Sequence, residues 1–539
     1  MNTKINTKIS TKIPALVQQW TNLNQFKYYL DSVNGNDLDS GLSPSQAKKT
    51  IAALPEIVSG DKIGIAKGSY FREELNLHNI NDLTIGSYGF GAKPIIDCAD
   101  QCVSANFVKD GGYTNVYQYI HAHQVESLFY LSMWENGLRL KYVTSLALVD
   151  STPGSYYVPT SSGAGNITFY VHTSDSSSPI TNTKIYDAST RNWGLVVNNN
   201  CTVFGLHTKR NAHPNGSTEI HENGTVYDCV FEDGAKHNFF INYGTVTDCF
   251  AWKADEPSRV QYAMFVGYSV DGRGKSVVWE RCTARGSNTT DGGSAFTNHT
   301  SGNSMPFDSV SFIDCSVTFI GQAFGANNTI VMNATRCFAS VIGKGFVPES
   351  TTANIVNCRI DGYDSNNNKQ TTRSIDSTSS SLNISGLRAN VNRENDAVIY
   401  GAGVINITKS AISILSGSTG WQRFVLCRST GVQINSTYNV VNGMDTLYSC
   451  PAGSYIIASE NNVVSSNTLE IKNNNVAYST FYAYKSANAT LDINSVVGDP
   501  LFIDPSVGNY SLQEGSPAIA IGAGLENNNI VYTEIPASA

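Results

Sequence analysis

Six short segments share one pattern: VYDCVF (226–231), VTDCFA (246–251), WERCTA (279–284), FIDCSV (312–317), ATRCFA (334–339) and IVNCRI (355–360). In each, an apolar or small residue lies three before the cysteine. Another lies two after it: Phe231, Ala251, Ala284, Val317, Ala339 and Ile360. This reads as the alternation of a strand with one buried face. The cysteines Cys229, Cys249, Cys282, Cys315, Cys337 and Cys358 follow one another at 20, 33, 33, 22 and 21 residues. A repeat of roughly 20 residues built on short strands predicts a solenoid of parallel strands, with the cysteines stacked in an inward column.

With 539 residues, the chain exceeds what one compact core holds, which suits several domains or one elongated solenoid. Charged residues are only 15%, and 45 glycines with plentiful Asn, Ser and Thr fit many short strands joined by turns. A net charge of −8 and a pI near 5.6 argue against a nucleic-acid partner. The eleven cysteines are an odd number, and six fall at inward positions. They therefore read as buried free thiols, not as a disulfide framework, in keeping with a reducing compartment. MNTKINTKISTKIPALVQQW carries no apolar run, so no secretory leader is expected. No stretch reaches 18 apolar residues, so no membrane insertion is expected either.

Composition shifts divide the chain. Residues 1–27 read as a polar arm with the triplet NTKI, NTKI, STKI, and residues 28–106 as a capping helix and first coils. The helix is expected over Ser43–Leu54, with Ser43 as N-cap and Pro44 in its first turn; a strand over Lys62–Ala66 and a turn at Gly68 follow. Residues 107–190, with NVYQYIHA, SLFYLSMWENGLRLKYV and NITFYVHT, read as an inserted antiparallel β-module. The main coils are expected over 191–525 and a tail over 526–539.

YYLDSVNGNDLDSGLSPSQAKKTIAAL with the following GDKIGIAKGSYFRE resembles the entry motif of right-handed parallel β-helix proteins of the pectate-lyase-like superfamily. DPLFIDPSVGNYSLQEGSPAI (499–519) is similar to their closing motif. Within that superfamily the chain resembles bacteriophage tailspike and tail-fibre polysaccharide depolymerases. The resemblance implies an all-β solenoid that grips a bacterial surface polysaccharide, attachment to a phage tail or baseplate through the N-terminal arm, a homotrimer, and a place on the virion. A free bacterial enzyme is the alternative.

In stacked parallel coils, equivalent residues stand about 4.8 Å apart. Counting from the cysteine column, with Leu206 in its place one coil earlier, aligns Lys209 and Arg210 with Glu232 and Asp233, then Trp252 and Lys253, then Arg285. Beyond these come His213, then His237, then Asp255 and Glu256, then Asp291. Five of nine histidines fall between 207 and 299, where the two long intervals add loops able to wall a groove.

A glycoside hydrolase needs two carboxyl groups about 5–5.5 Å apart for retention or about 6.5–9.5 Å for inversion. Carboxylates one or two coils apart reach those separations, so Asp233 with Glu256 or Asp255 is the favoured catalytic pair and Asp291 the alternate. A polysaccharide lyase needs a base and a cation beside the uronate carboxylate, roles open to His237, Lys253, Arg259 and Tyr262. Lys209, Arg210, His213, Glu232, Trp252, Lys253, Arg259, Tyr262 and Arg285 are the candidate substrate contacts. A non-catalytic glycan-binding fibre would use the same surface. No cofactor is expected, and no cysteine–histidine set has zinc spacing. The loop NGNDLD (34–39) lacks the EF-hand order and reads as a hydrogen-bonded turn.

Overall fold

The computed structural model describes residues 26–122, 130–159, 166–213, 215–253, 263–269, 272–286, 293–300, 305–362, 373–391, 396–414, 422–466, 468–505 and 509–524. The chain divides into two compact units, Met1–Asn242 with Asp248–Arg259, and Tyr243–Thr247 with Val260–Ala539. Both are all-β and built on parallel ladders.

In the first unit the ladder strands pair in parallel with strands from later segments of the chain. One ladder runs Leu75–Leu77, Leu195–Val197, Thr218–Ile220, His237–Ile241. A second runs Tyr28–Leu30, Lys62–Ala66, Thr84–Tyr88, Thr202–Phe204, Gly224–Tyr227. The third runs Tyr70–Phe71, Ile95–Asp97, His207–Lys209, Val230–Glu232, Phe250–Trp252. Because pairing is parallel and in register, like positions stack: Ile96, Thr208, Phe231 and Ala251 point inward and are buried. Their neighbours Asp97, Lys209, Glu232 and Trp252 form one row on the other face.

The cysteines lie at corners, not within strands. Cys229 follows the strand Gly224–Tyr227 and precedes Val230–Glu232, and the residue before it, Asp228, has φ of +54°. The same left-handed residue precedes the column throughout: Asp248, Arg281, Asp314, Arg336 and Asn357. One left-handed residue turns the chain from one ladder to the next and consumes one position. The apolar residue therefore lies an odd three positions before the cysteine, while the one after it lies an even two.

The thiols also bond, which the reading as a plain inward column does not anticipate. Cys315 Sγ donates to the Trp279 carbonyl at 3.3 Å, Cys337 to Phe312 at 3.3 Å and Cys358 to Ala334 at 3.6 Å. Each acceptor stands three residues before the preceding cysteine. Further along, Asn439 takes over the position: it accepts the Ser410 N–H and donates to the Ile407 carbonyl, and Asn462 repeats this on Asn439 and Ser436. Cysteine and asparagine serve one purpose here, pairing buried backbone groups that the corner leaves outside the ladders.

The expected helix over Ser43–Leu54 is replaced by two short 3₁₀ turns, Pro44–Gln46 and Ile51–Ala53, and Ser43 makes no capping hydrogen bond. The physical reason lies in the intervening residues. Lys48 bridges to the strand Tyr28–Leu30 through Tyr29 and Asp31, and the Asp37 carboxylate accepts the Lys49 and Thr50 N–H groups. Tertiary pairing pulls the middle of the segment out of any helix. The strand Lys62–Ala66 and the positive-φ turn at Gly68 stand where expected.

Between Asp97 and Leu195 the first unit holds two further sheets. Leu138–Arg139, Met133–Glu135, Tyr186–Ser189 and Ala99–Cys102 form one antiparallel sheet, its hairpin turning on Asn136-Gly137, both at positive φ. Val108–Lys109, Tyr117–His121, Ile167–His172 and Ser155–Tyr157 form another, with Lys141–Tyr142 added parallel. Phe107, Tyr119, Met133, Tyr156, Phe169 and Tyr186 belong to their shared core.

The second unit repeats the ladder scheme. Its interior carries stacked rings, Phe265 on Phe296, Phe324 and Phe346 in turn at 4.8, 5.4 and 5.0 Å. On another ladder Asn333, Asn354, Asn383, Asn406 and Asn435 form a chain of side-chain amide bonds of 2.6–2.9 Å. Phe502, Tyr510, Ala518 and Ala523 of the C-terminal segment cover the last apolar positions, Ala411, Val440 and Val463. All eleven cysteines are buried and free. Among the described residues no helix is long and apolar enough to cross a membrane.

Candidate functional site

The outward row Asp97, Lys209, Glu232, Trp252 sets the first part of the site. Glu232 Oε2 lies 2.7 Å from His207 Nε2, on the neighbouring strand. Burial opposes the Glu232 charge, but the His207 hydrogen bond, with Lys209 and Arg210 nearby, outweighs it and holds the carboxyl below its ordinary value. Lys209 lies over the Tyr70 ring at 5.5 Å. Glu232, His207, Lys209 and Trp252 are all half-buried, and Tyr70 is exposed. One carboxylate, one imidazole, one ammonium and two aromatic rings thus share a solvent-facing strip.

Beneath it, Arg210 makes a buried network. Its guanidinium binds Asp97 through Nε at 3.0 Å and a second nitrogen, and Asp187 at 2.8 Å, while stacking on Trp134 at 5.1 Å. Tyr70 donates to Asp97, and Arg72 binds Asp187 at 2.9 Å. These contacts tie the third ladder to the antiparallel sheet and fix the strip from below.

A separate acidic group stands on the first ladder. Glu219 accepts from Trp193 Nε1 at 3.0 Å and from Asn215 Nδ2 at 3.2 Å, and lies 3.4 Å from His221 Nε2. Burial opposes its charge, and the His221 hydrogen bond leads the forces that keep its pKa low. The His213 ring packs on Trp193 at 4.5 Å and accepts the Asn215 N–H. His221 directly follows the strand Thr218–Ile220 that carries Glu219.

Several expected site residues take other places. Lys253 is fully buried, and its ammonium donates to the Gly234, Ala235 and Lys236 carbonyls, so it props the turn and does not face a substrate. Arg210 is likewise spent on Asp97 and Asp187. Asp233 is buried at a left-handed corner with its N–H on the Trp252 carbonyl, which removes its carboxyl from the surface position the pairing argument gave it. His237 is also buried, at the start of its strand. Arg285 lies half-buried in the second unit, in register with Thr318. Asp255, Glu256, Arg259, Tyr262 and Asp291 lie outside the described residues. Trp193, Glu219, His221, His207 and Tyr70 were absent from the expected set; the signal available was the acid and histidine at i and i+2 in TEIH (218–221). Among the described residues no group of three His, Cys, Asp or Glu is placed to hold a metal ion.

No protein-family model matches the chain, and no curated protein matches it in sequence. Among solved structures it is similar to a complex of XylC with xylose, at 10% identity and a TM-score of 0.38, covering 81% of this chain and 75% of that one. It is similar also to the GH136 lacto-N-biosidase from Eubacterium ramulus, at 13% identity and a TM-score of 0.30, covering 81% of this chain and 63% of that one. A third, described as a glycoside hydrolase, shares 10% identity at a TM-score of 0.40, with 80% and 95% covered. The chain spans less than two thirds of the lacto-N-biosidase's length.

Proposed function

We infer that this chain binds and hydrolyses a bacterial surface polysaccharide, in the manner of a tailspike-like depolymerase. In this reading the ladders are the coils of a right-handed parallel β-helix. The observation that carries it is the solvent-facing strip in which Glu232, paired with His207, is flanked in register by Lys209 and Trp252. Carboxylates accept sugar hydroxyls, indole and phenol rings cover the apolar faces of pyranose rings, and stacked coils repeat such contacts at a spacing suited to an extended chain.

Hydrolysis needs a carboxylate and a protonated donor. Glu232 and Glu219 are both held in the charged form, so each suits the base or nucleophile and neither the donor. The proton donor is assigned to the Asp255–Glu256 pair, three and four residues beyond Trp252 in sequence. Glu232 replaces the buried Asp233 as its partner. A virion-bound homotrimer, attached through residues 1–27, completes the reading.

The same low carboxyl pKa values favour one second reading, a fibre that holds glycan without cutting it. Incubating the protein with a panel of capsular and O-antigen polysaccharides tests both. New reducing ends support hydrolysis; binding without shortening supports the fibre. An ultraviolet-absorbing unsaturated uronate would replace hydrolysis with lyase chemistry.

A further inference from the structure

In the second unit, Asp376 is buried at 3% exposure at the end of the strand Arg373–Asp376. Lys344 Nζ reaches its Oδ2 at 2.6 Å, Arg373 the same oxygen at 3.0 Å, and Arg428 its Oδ1 at 2.7 Å. Both guanidinium groups flank the Tyr400 ring, at 4.1 Å for Arg373 and 5.3 Å for Arg428. Three cations therefore converge on one carboxylate. Lys344 and Arg373 are directly in register on adjacent parallel strands, an arrangement of like charges that ordinarily destabilises a sheet.

Asp376 holds all three cations, and two of them stay open to solvent. The Lys344 and Arg428 side chains keep 42% and 37% of their surface exposed. Each spends one N–H donor on Asp376, out of three for an ammonium and five for a guanidinium. The carboxylate fixes Lys344, and the carboxylate and the Tyr400 ring fix Arg428, so a ligand would find donors in place with little further ordering cost.

We propose that this cluster binds an oxyanion carried on a glycan: the carboxylate, sulfate or phosphate of an acidic sugar. The inference rests on the glycan reading above and extends it to a charged substrate held by the second unit. It does not need cleavage, so binding tests it separately.

Calorimetry of the full chain with tetragalacturonate and with its carboxyl-reduced, neutral counterpart is the experiment, with inorganic sulfate as a third arm. Tighter binding of the charged tetramer than of the neutral one is expected. The K344Q/R428Q variant, which leaves Arg373 to pair Asp376, should weaken charged binding by about tenfold or more and leave the neutral tetramer unchanged. Unchanged affinity in the variant overturns the proposal, as does equal binding of the two tetramers. Sulfate binding as tightly as the tetramer overturns the glycan part. Loss of polysaccharide cleavage with this binding intact would instead count against the hydrolytic reading alone.

Discussion

Cys358 accepts the backbone N–H of Cys337 at 3.4 Å and donates its thiol to the carbonyl of Ala334 at 3.6 Å. One side chain thereby pairs two buried backbone groups of an earlier segment. Replacing Cys358 by Ala strands both and should cost about 1–3 kcal/mol. Serine, which keeps a donor and an acceptor, should cost less. Thermal unfolding of the two variants beside the parent checks the ordering, and equal loss in both would show that only packing matters.

Burial also pushes the Cys98, Cys315 and Cys337 thiols well above their ordinary pKa. The folded protein should therefore give no rapid reaction with a thiol reagent at neutral pH, while the denatured chain should titrate all eleven cysteines. Fast labelling of the folded protein would contradict the buried corner positions.

Arg210 carries the junction between the parallel ladder and the antiparallel sheet of its unit. Its replacement by Ala leaves Asp97 buried without its main partner, and Asp187 with Arg72 alone. A loss of about 3–5 kcal/mol is expected. Limited proteolysis should then open residues 99–189 before the ladders; unchanged stability would show the network to be dispensable.

Acid should weaken the fold in a defined direction. Asp97, Asp100, Glu219, Glu232 and Asp376 all have carboxyl pKa values below their ordinary ones. At Asp376 burial works against the charge, and the Lys344 hydrogen bond and the neighbouring arginines overcome it. A depressed folded-state pKa contributes stability that is present above the unfolded value of about 4 and lost as the pH falls below it, through the folded value. The unfolding midpoint should hold down to about pH 4–5 and then fall. In the E232Q variant this acid dependence should be shallower, and an unchanged profile would contradict the His207–Glu232 pairing.

The matched, buried cysteine positions were legible because the same left-handed corner recurs before each of them. The corner itself was not, because one left-handed residue such as Asp228 or Arg336 mimics an ordinary strand position in sequence. Lys62–Ala66 was readable from its own alternation. The segment after Ser43 was not, since its helix signals lost to the pairing of Lys48 with the strand Tyr28–Leu30. In the site, register from the column placed Lys209, Glu232 and Trp252 on one row correctly. It could not tell that the adjacent Asp233, Arg210 and Lys253 are buried, because that depends on the turn conformation. Glu219 and Trp193 escaped notice because their meeting joins a strand to the segment preceding an earlier strand.

The most direct test of the account is turnover by Glu232→Gln on a polysaccharide that the parent protein shortens, with binding measured alongside. Reducing-end formation should fall by about a hundredfold or more, with glycan affinity changed by less than about tenfold. Undiminished cleavage by this variant would contradict the central role given to the Glu232–His207 pair.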